Sequence, residues 1–268
     1  MSPSSILSYR CALKDPLRIF DLDLTHPWFA QLSKSQALAR PAPRMPAISW
    51  SLNKVLLHLR TISEDSPLKL VLAKALFLVT LALGARVNEV CALRRDAEFL
   101  RFDEDGVLIL THPPDFLAKN EDPLRRRPPA SISPLLAELT LCPVDAVRKY
   151  LGRTRGCSGA LFRNATSGAP LTLFQTRSAL VDLIYASQPE RFLSSMPRAH
   201  QIRAYAATLA FYSSMSFAGI SSFTGWEGPA VFYRHYLRHV EGTRARCVVM
   251  GRVMGGAARG NVASPLDA

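Results

Sequence analysis

Met196-Pro-Arg-Ala-His-Gln-Ile-Arg-Ala-Tyr-Ala-Ala-Thr-Leu-Ala210 sets His200 and Arg203 three residues apart in a run rich in alanine. On a helix that spacing puts both side chains on one face. An arginine held there can balance the extra charge of a pentacoordinate phosphorus, and an imidazole, which titrates near neutrality, can carry a nucleophile's proton. Taken alone, the segment also suits a surface histidine and arginine flanking a helix start.

Three other segments carry residues suited to a phosphodiester. In Leu83-Gly-Ala-Arg-Val-Asn-Glu-Val-Cys-Ala-Leu93, Arg86 follows a glycine at the end of an apolar run and Glu89 lies three residues on. A rigidly held guanidinium can grip two phosphate oxygens with its planar fork, while the bland reading pairs Arg86 with Glu89 or with helix-end carbonyls. In Phe223-Thr-Gly-Trp-Glu-Gly-Pro-Ala-Val-Phe-Tyr-Arg-His-Tyr-Leu-Arg238, Trp226 precedes an aromatic run holding Tyr233 and Tyr236. A phenol with a reference pKa of about 10 needs cations and a base to attack phosphorus, and aromatic stripes of this kind also build cores. Pro114-Asp-Phe-Leu-Ala-Lys-Asn120 places Lys119 on a connection between predicted strands, where a lysine is either solvated or able to protonate a departing oxygen.

Composition sets the frame. The 268 residues are 48% hydrophobic, enough for one large core or two modest ones, and 33 Lys and Arg against 21 Asp and Glu give a formal charge of +12. That balance favours a polyanionic partner over an acidic small molecule. The cysteines Cys11, Cys91, Cys142, Cys157 and Cys247 are scattered and include no Cys-x-x-Cys pair, so they read as reduced thiols of an intracellular protein, with neither a zinc site nor a disulfide framework. Lys69 and Lys74 interrupt the most apolar stretch, 68–85, which reads as a buried helix and not a membrane span.

Along the chain, residues 1–47 read as a short helix around Ile6–Leu13, an irregular stretch, and a proline-rich linker ending at Pro46. Leu52, Val55, Leu56 and Leu59 recur at helical spacing, and Ser66-Pro67 reads as the capped start of a second helix. Extended pieces are expected at 99–102, 107–111 and 130–133, with a turn over Asp103-Glu-Asp-Gly106. Pro143 opens a helix, and helical patterning dominates from Leu173 to about Val240. The expected fold is α+β, predominantly helical with a small three-stranded antiparallel sheet. Residues 48–250 are expected to form its main domain and 251–268 a disordered tail.

In this order, arginine, sheet lysine, His-x-x-Arg, tryptophan and tyrosine, the segments resemble the tyrosine recombinase or phage integrase family over residues 49–245. The wording of the motifs, "FLAK" at Phe116–Lys119, "CPV" at Cys142–Val144, "GW" at Gly225–Trp226 and "HYLR" at His235–Arg238, is similar to that of DIRS and Crypton mobile-element recombinases. The resemblance implies an integrase-like catalytic domain in which Arg86 and Arg203 clamp the scissile phosphate. Lys119 then protonates the leaving 5′ oxygen, His200 assists proton transfer, Trp226 donates its indole N–H, and Tyr236 becomes joined to the 3′ phosphate. Glu89 is a supporting residue that orients an arginine. The interval from Trp226 to Tyr236 is one position longer than the family's usual spacing, which keeps Tyr233 open as an alternative nucleophile. Arg125, Arg126 and Arg127 are expected on DNA.

The implied activity is site-specific recombination or integration, with no cofactor and no metal. Its partners are double-stranded DNA and further protomers that associate through the C-terminal region; no membrane and no small-molecule substrate is expected. The location follows: the nucleus of a eukaryote, or the cytoplasm for a bacterial or phage protein. Residues 1–47 are then the remnant of a core-binding domain, which implies impaired recombination. Two alternatives stand beside this reading, a catalytically silent DNA-binding relic or domesticated protein, and relaxation of the type IB topoisomerase kind.

Overall fold

The computed structural model describes residues 3–20, 27–39, 48–119, 121, 124, 126, 128–191, 196–224 and 232. The chain divides into two compact units, Met1–Pro46 and Ala47–Ala268. In the first, α1 (Pro3–Arg18) and α2 (Pro27–Ala39) pack on each other. The sequence suggested only one short helix here. Both helices begin at a proline, which suits a first helical turn. The apolar residues of α2 do not line one stripe, so alanine, leucine, glutamine and lysine propensity, and not periodicity, accounts for it.

In the second unit, α3 (Leu52–Arg60) buries Leu52, Val55, Leu56 and Leu59, the four positions marked by their spacing. The next helix, α4 (Leu68–Leu83), is apolar on every side and buried at nearly every position from Val71 to Leu81, so it forms the centre of the core. It packs against α6 (Pro143–Arg153), α7 (Leu173–Ala186) and α8 (His200–Tyr212). Its Lys74 is half-buried and donates to Ile62 O at 2.6 Å; burial first, then the neighbouring Lys149, holds the ammonium below its ordinary pKa. Ser66 does not cap this helix. Pro67 is the N-cap, and Ser66 Oγ instead accepts the Ser63 N–H at 3.0 Å, closing the turn ahead of it.

The sheet has the order β1-β2-β3 and is antiparallel throughout: β1 (Leu100–Phe102), β2 (Leu108–Leu110) and β3 (Ala130–Ile132). The turn between the first two strands is closed by Asp103 Oδ1, which accepts the Val107 N–H at 2.7 Å. Gly106 there takes a φ of +77°, a conformation that favours glycine. Each strand lies inside its expected segment and is shorter than it. Helix starts follow local chemistry: Cys142 Sγ accepts the Asp145 N–H ahead of Pro143, and Thr172 and Gln175 form a reciprocal capping box on α7. Among the described residues no helix is long and apolar enough to cross a membrane.

Candidate active site

The site begins where α4 ends. Gly84 adopts the left-handed conformation (φ 52°), its N–H bonding Leu81 O while the Ala85 N–H bonds Thr80 O, so the chain reverses tightly and delivers Arg86 as the N-cap of the short α5 (Val87–Cys91). Glu89 reaches back across that turn. Its Oε2 accepts the Arg86 N–H at 2.8 Å, and its Oε1 accepts from Arg86 Nη1 at 2.7 Å. The pairing anticipated as the bland reading of this segment therefore exists, but the carboxylate is 4% exposed and it serves more than Arg86.

Arg203 arrives from α8 and is 1% exposed. Its Nη1 donates to Gly84 O at 2.6 Å and lies 3.7 Å from Glu89 Oε2, while Nη2 donates to Thr224 O at the end of α9 (Phe217–Thr224). Two arginines more than a hundred residues apart in sequence thus meet on one buried carboxylate. A buried guanidinium is tolerable only with such partners. Among the described residues two cations face this one carboxylate, and such a surplus of positive charge suits an anion.

His200 is exposed and heads α8, one turn before Arg203. The start of that helix is pinned from elsewhere in the unit. Gln201 Oε1 accepts from Trp50 Nε1 at 3.0 Å and from the Arg198 N–H at 2.9 Å, while the Tyr205 hydroxyl donates to Trp50 O at 2.6 Å. Sequence reading missed Trp50 and Gln201. The contact spans 151 positions, so no periodicity or local motif signals it.

Lys119 is exposed, on the connection from β2 to β3. Arg126, expected among the phosphate-contacting arginines, has its guanidinium on this connection: Nη2 donates to Pro113 O at 3.0 Å and to Phe116 O, and Nε lies 3.9 Å from Glu121 Oε1. His112, which the sequence reading also passed over, stacks on Phe116 with ring centroids 4.9 Å apart and bonds Glu89 O at 3.0 Å.

Trp226, Tyr233, Tyr236, Arg125 and Arg127 lie outside the described residues. The described positions nearest the two tyrosines and the tryptophan are Thr224, whose carbonyl receives Arg203, and Phe232, fully buried with its ring 5.3 Å from Phe211 of α8.

A scan against protein-family models gives no match, and a search of curated protein sequences gives none either. Solved structures do match. A XerH site-specific recombinase bound to a palindromic difH substrate, in a post-cleavage complex, aligns with a TM-score of 0.51 and 15% identity, over 75% of this chain and 53% of that one. XerA recombinase aligns with a TM-score of 0.50 and 14% identity, over 94% and 83% of the two chains. The chain therefore spans about half the length of the XerH chain. At these identities the likeness is one of fold: helices around a three-stranded antiparallel sheet, as in the catalytic domains of recombinases.

Proposed function

From a fold shared with tyrosine recombinases, we propose that this chain cuts and rejoins duplex DNA at specific sites through a 3′-phosphotyrosine intermediate. The observation that carries the reading is the convergence of Arg86 and Arg203 on Glu89. A scissile phosphate docked on that surplus charge exchanges water for fixed guanidinium donors, which bind most strongly as charge builds on phosphorus. The Tyr236 oxygen attacks, its proton passing toward His200. The bond from phosphorus to the 5′ oxygen breaks, and Lys119 supplies that oxygen's proton. Trp226 adds an indole N–H to a phosphate oxygen. The phosphotyrosine retains the phosphodiester's energy, so the reverse attack reseals the strand without a nucleotide cofactor or metal. Arg125 and Arg127 add backbone phosphate contacts, which supply affinity and not sequence readout. Residues 1–47 contribute to a DNA clamp, residues 48–250 carry the chemistry, and protomers associate on DNA through the C-terminal region.

The test uses a pool of nicked suicide duplexes with randomised arms, in which the cut strand diffuses away and traps any covalent adduct. The chain and Tyr233→Phe should form the adduct, and Tyr236→Phe should not. Adduct lost in Tyr233→Phe alone would move the nucleophile to Tyr233. No adduct in any of the three would leave a DNA-binding protein without strand cleavage, and relaxation of a supercoiled plasmid lacking the selected site would point to topoisomerase-like action.

A further inference from the structure

The arginine pair is fixed by bonds to its own guanidiniums, whereas Lys119 is fixed through its neighbours. Arg126 joins two carbonyls three residues apart, Pro113 and Phe116, and so closes the stretch of chain immediately before Lys119. Glu121 closes the stretch after it: its Oε2 accepts the Ala118 N–H at 2.9 Å, and its own N–H donates to Ala118 O at 3.0 Å. Ala118 is 4% exposed and Lys119 beside it is exposed, so the backbone is held while the ammonium stands in solvent.

His112 ties this loop to the arginines. A backbone carbonyl can only accept, so the ring nitrogen facing Glu89 O is protonated and donates, at 3.0 Å. The same ring stacks on Phe116, at an interplanar angle of 26°. Glu89 therefore meets both arginines through its side chain and the lysine loop through its main chain.

We infer that His112 and Arg126 are positioning residues which set the Lys119 ammonium at a fixed place relative to the Arg86–Arg203 pair. The inference rests on the strand-cleavage reading, in which Lys119 protonates the leaving 5′ oxygen. A misplacement of about 1 Å can cost about a hundredfold in rate, so loosening the loop should mimic much of the loss of the lysine. It also assigns Arg126 a task within its own loop, through the bonds of Nη2 to Pro113 O and Phe116 O.

The experiment compares two versions of the suicide duplex selected from the randomised pool, one with the natural 5′ oxygen and one with sulfur bridging at that position. A thiolate leaves without a proton, since a thiol, with a pKa of about 8.5, is far more acidic than an alcohol or water. His112→Ala and Arg126→Ala should cleave the oxygen duplex ~10- to 100-fold more slowly than the unaltered chain, with unchanged half-saturation for DNA. On the sulfur duplex both should return to within a few-fold of the unaltered rate. Cleavage of the sulfur duplex also shows that each variant is folded. His112→Gln, whose amide can still donate to Glu89 O, should keep most of the oxygen rate. Equal losses on both duplexes, a raised half-saturation with unchanged rate, or no loss at all would overturn the assignment. If the unaltered chain forms no adduct on either duplex, the strand-cleavage reading falls first and this assignment with it.

Discussion

Arg203 and Lys119 carry the same charge, yet the fold treats them in opposite ways. Arg203 is 1% exposed, with two carbonyls and a carboxylate around its guanidinium. Lys119 stands in solvent on a loop whose backbone, not its ammonium, is held. The contrast fits the roles proposed for the two. A group that stabilises charge on phosphorus gains from being preorganised in a water-poor setting. A proton donor must reach the leaving oxygen and be reprotonated from solvent, so it gains from exposure at a defined base.

Removing Arg203 should break the buried side most severely. Arg203→Ala leaves Gly84 O and Thr224 O without their donor and takes one cation from Glu89, and loss of one partner of a buried pair costs about 3–5 kcal/mol. Denaturant unfolding should show that loss, and adduct formation should vanish on both the oxygen and the sulfur duplex. An unfolding free energy within about 1 kcal/mol of the original would mean that the knot at Glu89 is not holding α4, α8 and α9 together.

Lys119→Ala should sharpen the contrast from the other side. An exposed substitution away from packing leaves stability within about 0.5 kcal/mol. Cleavage of the oxygen duplex should nevertheless fall by about 10²- to 10⁴-fold, the range for a positioned acid, with recovery on the sulfur duplex. A parallel loss of stability would place Lys119 in the framework and erase the distinction drawn from its exposure.

Much of the buried side was legible in the sequence because its residues sit at fixed short spacings within strong patterns. Gly84 ends an apolar helix, Arg86 and Glu89 stand three apart, and Arg203 lies in a run with helical patterning, so local rules placed each of them on its element. The convergence itself was not legible. Nothing local tells that Arg203 meets Gly84 O 119 positions away, because that depends on how α8 crosses α4 in the packed core. The contacts that close the lysine loop were hidden for the same reason. The hydrogen bonds of His112 and Arg126 go to carbonyls, which every residue has, and their side-chain partners Phe116 and Glu121 lie on an irregular loop where no periodicity marks the pairing. The triple-arginine run suggested phosphate contacts, and the bonds of Arg126 to the carbonyls of its own loop were not legible in it. The second helix of the N-terminal unit escaped because its apolar residues form no stripe.

A smaller effect is expected where α4 turns into α5. Gly84 holds a φ of 52°, and a Cβ in that left-handed region costs roughly 1–2 kcal/mol. Gly84→Ala should lower the unfolding free energy by about that much and slow cleavage of both duplexes alike, because its carbonyl orients Arg203 and its turn delivers Arg86. A stability loss with no change in rate would separate the turn from the arginine pair.

Asp96 offers the smallest effect and the cleanest control, since it repeats the design of Glu89 at the surface. Its carboxylate accepts the Gly159 N–H at 2.9 Å and Arg94 Nε at 3.0 Å, a backbone donor and an arginine as at Glu89, but its side chain is 30% exposed against 4%. The Gly159 N–H above all holds the Asp96 pKa below its ordinary 3.8; burial opposes it, and Arg94 adds to the lowering. A carboxyl lowered on folding contributes stability that is fully present above the unfolded value and disappears as pH falls through the folded one. Asp96→Asn should therefore be slightly less stable than the unaltered chain at neutral pH, and the gap should close as pH drops below 3.8. High salt should also narrow it, because an exposed pair is screened. Cleavage should be unchanged. A gap as large as that of Arg203→Ala would show that burial is not what separates the two carboxylates, and the contrast between the held and the exposed ends of the site would have to rest on geometry alone.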